Sequence, residues 1–519
     1  MRRRSRTEES GRASAGEPIR AIQPEPATQS MRHFELTLIA FLALVALGCP
    51  AETTTQQKAD EEEVQGGVTW PPNADQEPRN LTPVEGETET VLFEKATVMT
   101  AAGETYPEGY VLIADGDIEK VSPEPIEAPE DATTIDASGK FLTPGIIDTH
   151  SHMGVYPVPF IDAHGDGNEM TDPTTPGGDA AHSTWPQDPA LQRGVARGVT
   201  KIQILPGSAN LMGGRAVTLE MHPGISTQAM VFEEAPDGMK MACGENPKAV
   251  YGSKGQMPST RMGNMKVLRS TFQEAVELRE SYRRYRDKLA KWKQKGKRKG
   301  EQKPKPPSRD FGLENLIGVL EGDLLLHVHC YRADEMVQFL QLADEFGFEI
   351  RSFHHGLEAY KIRDILAKWD VSVSTWADWW GYKIEMHDGI PQNAGLISSA
   401  GGRAVIHSDS SIGVQRLNQE AAKAYYAALE RGLDVSENEA LRWITANAAW
   451  TLGVDDVTGT LEKGKRADIV LWSAHPFSVY ARAEKVWVEG VREYDRSDDP
   501  RPWSDFELGQ QNQEREVTP

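Results

Sequence analysis

The sequence predicts an α/β fold, in which a (β/α)8 TIM-like barrel is accompanied by a small β-sandwich built from both chain ends. Three observations support this prediction. Eight short apolar runs alternate with helical patterns through the middle of the chain, as the strands of a parallel barrel do. Strand-like runs lie on both sides of that region. The 519 residues suffice for one large barrel with a satellite domain.

Composition and charge exclude several classes of protein. Apolar residues make up 39% of the chain and charged residues 26%, which excludes collagen, a fully disordered chain and a multi-span membrane protein. The net charge of -22 argues against a nucleic-acid binder, so no nucleic-acid partner is expected. The 3 cysteines are too few for a disulfide scaffold.

Residues 1–49 are predicted to be an N-terminal extension that ends in an export signal. A basic start at 31–33 precedes an apolar run at 36–47, which is too short to span a bilayer comfortably. The four residues ending at Cys49 resemble a bacterial lipobox, with alanine in place of the usual first leucine. This resemblance implies translation from Met31 and lipidation of Cys49. It also implies an exported periplasmic or cell-envelope lipoprotein that contacts the membrane only through its lipid anchor.

The composition and pattern of the chain then change twice. Residues 50–88 are rich in Glu, Thr, Gln and Pro and cannot bury enough apolar surface to order themselves, so we predict a disordered tether. Short strand patterns separated by glycine-containing turns follow at 89–143 and return at 456–495. These two segments are predicted to be the two parts of the β-sandwich, and 496–519 is predicted to be a tail.

The predicted barrel occupies residues 144–455. Its eight candidate strands are short apolar runs, at 145–147, 200–205, 217–221, 239–242, 324–328, 350–353, 371–374 and 404–406. A basic helical insert is predicted at 273–310, because residues 283–305 carry twelve Lys or Arg and only two acidic residues. This run indicates either a solvated helix or a contact with an anion or a membrane surface. The solvated helix is favoured, because charge runs usually face water.

The most informative motif is the His-x-His sequence that ends the first predicted barrel strand. Strand side chains alternate with period two, so His150 and His152 point to the same side at the end of an apolar strand. Active sites of such barrels lie at this end of the strands. Two imidazoles on one face can both bind one metal ion. The motif therefore predicts a metal site.

This stretch resembles the opening strand of the amidohydrolase superfamily, a set of metal-dependent hydrolases on (β/α)8 barrels. The resemblance is greatest to the branch of imidazolonepropionases and metal-dependent Xaa-Pro dipeptidases, and it covers roughly residues 91–490. It implies one or two divalent metal ions, with Zn²⁺ expected from the histidine and carboxylate ligands. A β-sandwich formed by both chain ends is also a feature of that superfamily.

The resemblance implies two further histidine ligands. After the fifth strand it selects His329, which lies three residues before an Arg-Ala-Asp segment, whereas His327 would lie one layer deeper as a core histidine. After the sixth strand it selects His355, which is followed by glycine, and places His354 on the other face of the strand.

The resemblance also implies carboxylate ligands. Asp409, after the eighth strand, is expected to bind the metal and to be catalytic by accepting a proton from its bound water, although a lone aspartate there can also cap a helix. Lys240 is the candidate for a carboxylated lysine bridging two metals. A lysine at a strand edge can instead extend its ammonium to solvent. Glu220 is a rival source of the carboxylate.

Three residues are expected to contact the substrate. Asn210 and Arg215 belong to a Gly-rich segment at 205–215, which lacks the Lys-Ser/Thr ending of a P-loop and can equally be a tight turn. Trp376 follows the seventh strand and is expected to line the pocket, although aromatic residues near a barrel rim often only pack.

The predicted function is hydrolysis of a C–N bond in a small-molecule amide, cyclic amide or dipeptide through metal-activated water. One alternative is a catalytically inactive lipoprotein that binds a ligand on the same barrel. Another is a deaminase or esterase on the same scaffold, because substrate choice depends on the loops. The sequence leaves homo-oligomerisation open.

Overall fold

The computed structural model describes residues 86–294, 302–379 and 381–497. The predicted signal, Cys49 and nearly all of the tether lie outside these residues, as does the tail beyond 497, and those features stay predictions. In the described ranges, no helix is both long and apolar enough to cross a membrane.

The described residues contain sixteen strands in two sheets. In chain order they are β1 (Val91–Met99), β2 (Thr105–Ala114), β3 (Asp117–Ser122), β4 (Thr133–Asp136), β5 (Phe141–Pro144), β6 (Ile146–Ser151), β7 (Val199–Ile204), β8 (Met212–Glu220), β9 (Gly238–Ala242), β10 (Leu325–Cys330), β11 (Ser352–His355), β12 (Ser372–Thr375), β13 (Ala404–Ile406), β14 (Ile469–Trp472), β15 (Ala483–Val488) and β16 (Val491–Asp495).

One sheet is built from both ends of the chain. Its order is β16-β15-β14-β5-β1-β2-β3, and β4 pairs with β1. The two chain ends meet where β5 and β14 run antiparallel, with Leu142 opposite Leu471. Phe93 and Trp487 pack edge to face with ring centroids 4.9 Å apart, so residues from both ends share one core. The predicted arrangement of these strands as a two-layer sandwich stays a prediction.

The second sheet forms a nearly closed barrel in the order β13-β12-β11-β10-β9-β8-β7-β6. The chain closes the gap beside the last strand, where the Asp409 N–H donates to the carbonyl oxygen of His150 at 3.0 Å. On the other side of Asp409, the Ser408 N–H donates to the Asp148 carboxylate at 3.0 Å. The last and first strands are therefore tied together next to the predicted metal site.

The prediction of eight parallel strands was wrong for one of them. β8 runs antiparallel to both β7 and β9, whereas the other neighbouring pairs of this sheet are parallel. A parallel strand requires a crossover of a dozen or more residues, usually a helix. Only residues 205–211 separate β7 from β8, so these two strands form a hairpin.

Ten α-helices, counted within the described ranges, pack around the barrel and its loops. They are α1 (Pro189–Val195), α2 (Glu245–Ser253), α3 (Arg261–Gln294), α4 (Phe311–Glu321), α5 (Ala333–Phe346), α6 (Arg363–Lys368), α7 (Asn393–Ser399), α8 (Leu417–Glu430), α9 (Glu437–Arg442) and α10 (Ala446–Leu452). Short 3-10 turns lie at Asp162–His164, Ala180–His182, Thr227–Met230, Ala359–Lys361, Ile384–Met386 and Gly413–Arg416.

The predicted basic insert at 273–310 overlaps the long helix α3, which has 34 residues and begins before the basic run. Its first half packs on the barrel side, where Phe272 stacks on Phe348 with ring centroids 4.6 Å apart. None of its described residues after Tyr282 is buried. The described basic end of the helix therefore faces solvent, an exposure that both a solvated helix and a surface contact require.

A disulfide joins Cys243 to Cys330, with Cα atoms 5.2 Å apart. Cys330 is the last residue of β10, and Cys243 directly follows β9. The sequence analysis did not anticipate this pair, because a separation of 87 residues gives no local signal. The disulfide links the carboxyl ends of β9 and β10, the strands that carry Lys240 and His329.

Candidate metal centre

The predicted ligands converge at the carboxyl ends of the barrel strands. Four of them lie at the end of a strand or directly after it: His150 and His152 at β6, His329 at β10 and His355 at β11. Lys240 is the middle residue of β9, and Asp409 belongs to the loop after β13. In the parallel strands of a barrel these ends share one rim, which is why residues more than 250 positions apart meet there.

His150, His152 and Asp409 form the first group of candidate ligands. The Nε2 atoms of the two histidines are 3.3 Å apart, and Asp409 Oδ1 lies 3.2 Å from His152 Nε2 and 3.6 Å from His150 Nε2. Two ligand atoms bound tetrahedrally at zinc distances would be about 3.4 Å apart. His152 Nδ1 donates to the carbonyl of Leu205 at 2.8 Å, which leaves the Nε2 lone pair free for a metal. The spacing of the group therefore fits one divalent cation.

His329 and His355 form a second group directly beside the first. Their ring centroids are 4.5 Å apart, and the His355 ring lies 4.8 Å from that of His150. Both Nδ1 atoms are buried and have no hydrogen-bond partner in the part of the chain that the structure describes. A buried polar atom without a partner is costly, and a bound cation would satisfy it. The residues present therefore fit a metal of the kind that the superfamily usually binds.

The histidines of both groups are held in their neutral form. Burial lowers the pKa of His150, His329 and His355 well below the ordinary value for histidine, and the nearby charge of Lys240 lowers it further. Neutral imidazole is the form that binds metals, so the environment that excludes a proton favours a cation at the same place.

Lys240 is fully buried beside the first group. Its ammonium donates to the carbonyl of Pro206 at 2.9 Å and lies 3.5 Å from His150 Nε2. Burial lowers the pKa of Lys240 to about 7, although the charge of Asp409 opposes this shift. Burial therefore favours the uncharged amine of this side chain more than in an ordinary surface lysine.

Asp409 is held in an uncommon backbone conformation and stays ionised. Its φ is 49°, a left-handed value that a residue other than glycine adopts rarely. Burial raises the pKa of Asp409, but its interactions with His152, His407 and Lys240 outweigh burial and lower it overall. Burial raises the pKa of the neighbouring Asp148 to about 7, so the two carboxylates behave differently.

Two histidines of the centre were missed or misplaced by the sequence analysis. His407 is fully buried, its ring lies 5.1 Å from that of His150, and both of its nitrogens lack partners among the described residues. Its position two residues before Asp409 was the available signal. His354 was expected on the opposite face of its strand, yet its ring is 4.8 Å from that of His150. The φ of 72° at His355 breaks the alternation of the strand, so both neighbours contact the centre.

The structure places the three predicted substrate contacts differently. Trp376 stacks on His355 at 4.6 Å and therefore borders the centre. Asn210 is buried, and its amide donates to Glu169 and accepts from the Tyr251 hydroxyl, which holds its loop together.

Arg215, contrary to expectation, is not brought to the histidines. It pairs with Asp237, which precedes β9 and so lies at the opposite end of the barrel. The physical reason is the reversal of β8, which sends the later residues of that strand away from the metal-binding rim.

Glu220, the rival carboxylate, also lies at this opposite end, in a group with His222 and Glu489. The buried ammonium of Lys201 already lies 3.4 Å from Glu489 and 3.1 Å from Asp468, so a cation is present beside these acids. Burial raises the pKa of Glu220 to about 8. Glu220 therefore does not contribute to the centre at the carboxyl rim.

Comparison with known proteins gives a consistent result. The model of the amidohydrolase family described as Amidohydro_3 matches residues 385–494, which include Asp409. The chain is similar to an amidohydrolase of known structure from Thermotoga maritima MSB8, with 34% identity, coverage of 78% of this chain and 100% of that one, and a TM-score of 0.68. It is also 34% identical over 405 residues to amidohydrolase tasK of Hapsidospora irregularis. That match covers 75% of this chain but only 40% of the length of the curated relative.

Proposed function

The chain belongs to the amidohydrolase family, and from this premise we propose that it is a metal-dependent hydrolase that cleaves a C–N bond in a small amide or dipeptide. The observation that supports this proposal most strongly is the spacing of His150, His152 and Asp409, whose ligand atoms all lie within 4.8 Å of one another. His329 and His355 beside them offer further buried lone pairs. We propose Zn²⁺ as the metal, because imidazole and carboxylate ligands suit it.

When bound, a divalent cation lowers the pKa of water towards neutrality and polarises the scissile carbonyl. The protein supplies the proton transfers, which we assign to Asp409. Its Oδ1 faces the two imidazoles, and its Oδ2 accepts a proton from the attacking water and passes it to the departing nitrogen. The new C–O bond replaces the C–N bond, and the products are a carboxylic acid and an amine.

We further propose that Lys240 is carboxylated. Carbamate formation requires an uncharged amine, whose nitrogen bonds the carbon of CO2 and releases one proton. The pKa of about 7 provides that amine, and the position 3.5 Å from His150 Nε2 puts the product next to the first ligand group. A carbamate shared by two ligand groups would support a two-metal site.

The proposed substrate carries a free carboxylate near the scissile bond. Lys383 donates to Asn246 Oδ1 at 3.1 Å and lies 4.5 Å from the centre of the Tyr331 ring, which stacks on His355. Burial lowers the pKa of Lys383, although the charges of Glu245, Glu385 and Asp409 oppose this shift. A partly desolvated ammonium one aromatic ring away from a proposed ligand suits the carboxylate of a dipeptide or an N-acyl amino acid.

We propose that the protein is exported and anchored by a lipid on Cys49. The lipobox resemblance is the basis of this proposal, and the Cys243–Cys330 disulfide supports it, because disulfides persist in oxidising compartments outside the cytosol.

Replacing Asp409 with Asn should strongly reduce turnover while leaving the fold intact. Loss of the proton acceptor is expected to lower kcat roughly 10²- to 10⁴-fold on a panel of dipeptides and cyclic amides. Thermal unfolding should stay close to that of the parent, and Asp364→Asn, a change on the exposed face of α6, serves as the matched control. Unchanged kcat in Asp409→Asn would reject the assigned role.

The parent protein also distinguishes the alternative functions. Zinc binding without turnover on any amide would favour a ligand-binding protein. Cleavage of esters, or release of ammonia from nucleobases, would favour the alternative enzymes.

Lys240 should bear one carboxyl group in the metal-loaded protein. Incubation with ¹³C-bicarbonate is expected to give a single carbamate carbon resonance at neutral pH, and Lys240→Ala should lack it. Lys201, the other buried lysine, should stay an unmodified cation, because its pKa is raised by its acidic partners despite burial. A metal-loaded protein without a carbamate resonance would contradict the proposal.

Lys383→Met should raise KM for substrates with a free carboxylate and leave kcat nearly unchanged. A charge-assisted hydrogen bond contributes about 1.5–3 kcal/mol, which corresponds to a KM increase of roughly 10- to 100-fold. The same variant should cleave C-terminally amidated substrates as well as the parent does, and Lys368→Met, at an exposed position, is the control. An equal loss on both substrate classes would show that Lys383 does not bind the carboxylate.

Cys49 should be the acylated first residue of the mature protein. Mass spectrometry of the membrane fraction is expected to find a diacylglyceryl-modified N-terminal peptide beginning at this residue, and Cys49→Ser should release the protein from that fraction. Detection of an intact N-terminus that still contains residues 1–30 would contradict the proposal.

A further inference from the structure

A row of buried side chains leads from His150 into the barrel, away from the proposed cation. His150 Nδ1 lies 2.8 Å from His354 Nδ1. His354 Nε2 lies 2.9 Å from His327 Nδ1, and His327 Nε2 lies 3.3 Å from the side-chain amide of Gln203. Each of these four residues is fully shielded from solvent. The row is therefore a hydrogen-bonded chain. Its outer end, beside His152 and Asp409, is the Nε2 atom of His150.

Every imidazole in the row carries a single ring proton. All three rings are fully buried, and their facing nitrogens lie 2.8 and 2.9 Å apart, so each contact between two rings holds a single proton. A neutral imidazole has one N–H donor and one acceptor nitrogen. Each histidine can therefore donate to one neighbour and accept from the other, which gives the row a direction.

Only two proton arrangements satisfy all the contacts of the row. In the first, His327 and His354 carry their protons on Nδ1, and His150 must carry its proton on Nε2. In the second, His150 carries its proton on Nδ1, and His354 and His327 both carry theirs on Nε2. A cation needs the lone pair of His150 Nε2, which faces His152 and Asp409. Cation binding is therefore compatible only with the second arrangement.

Gln203 closes the inner end of the row. In the first arrangement its Nε2 donates to His327 Nε2. In the second, His327 Nε2 is itself a donor and requires the amide oxygen in that place. The Gln203 Oε1 atom is buried and has no partner among the residues the structure describes. A half-turn of the amide brings this oxygen to His327, where it accepts the proton on Nε2.

We infer that His354 is a positioning residue that holds His150 in its metal-binding tautomer, and that divalent cation binding sets one proton direction along the row as far as Gln203. Hydrogen bonds from metal-bound histidines to buried acceptors fix the ring and strengthen the ligand. The inference rests on the proposed function, because it takes His150 Nε2 as a ligand. It goes further by giving a role to three buried polar residues that contact no substrate.

The test uses the full chain, stripped of metal and titrated with Zn²⁺ against a chromophoric chelator. His354→Leu removes the acceptor for His150 and should weaken zinc binding roughly 10- to 100-fold. His354→Asn puts an amide oxygen close to the position of Nδ1 and should restore most of the affinity. His387→Leu, at an exposed histidine, should bind zinc as the parent does. If His354→Leu fails to fold, the asparagine variant and the spectra described next decide the question.

Nitrogen NMR of ¹⁵N-histidine-labelled protein gives a readout that packing alone would not move. In the zinc-loaded protein, His354 and His327 should both be protonated on Nε2, with the signals assigned from single-histidine variants. Protonation of either ring on Nδ1 would overturn the inference, as would zinc affinity that is equal in the parent and His354→Leu. A parent chain that binds no divalent cation would overturn the proposed function itself, which separates the two failures.

Discussion

The rest of the centre depends on one constraint, namely that several fully buried imidazoles and a buried amine surround two side chains that are only partly exposed, His152 and Asp409. Burial removes the charge of His150, His329 and His355 by lowering their pKa, and it leaves nitrogen lone pairs without partners. Hydrophobic residues would fill this space at less cost. A cation bound to the lone pairs, as proposed, would offset this cost.

Two of the candidate ligands have positive φ angles, and one side chain connects them. His355 and Asp409 both adopt left-handed backbone conformations, each of which costs on the order of 1–3 kcal/mol. Trp376 stacks on the His355 ring and donates from its indole N–H to the carbonyl of Ser408, next to Asp409. Packing around this tryptophan therefore holds both ligands in place. The strain is located where ligand geometry matters most, which is typical of functional sites.

Local sequence patterns predicted the parts of the site that depend on local geometry. The period of two put His150 and His152 on one face, whereas the choice of His329 over His327 came from the family resemblance and not from local geometry. The period-two alternation of strand side chains failed at His354, because the backbone conformation of His355 does not follow from periodicity. Arg215 was misplaced because the reversal of β8 was overlooked, although the short connection to β7 makes a hairpin necessary. The disulfide and the imidazole row join distant segments, and no local pattern reports such contacts.

The central claim is that a divalent cation binds between the residues of the carboxyl rim, and anomalous X-ray diffraction from crystals grown with zinc tests it most directly. Data collected on both sides of the zinc absorption edge should give a peak within bonding distance of His150, His152 and Asp409. A peak only at the opposite end of the barrel, beside His222, or no peak at all in a well-folded crystal, would contradict the account.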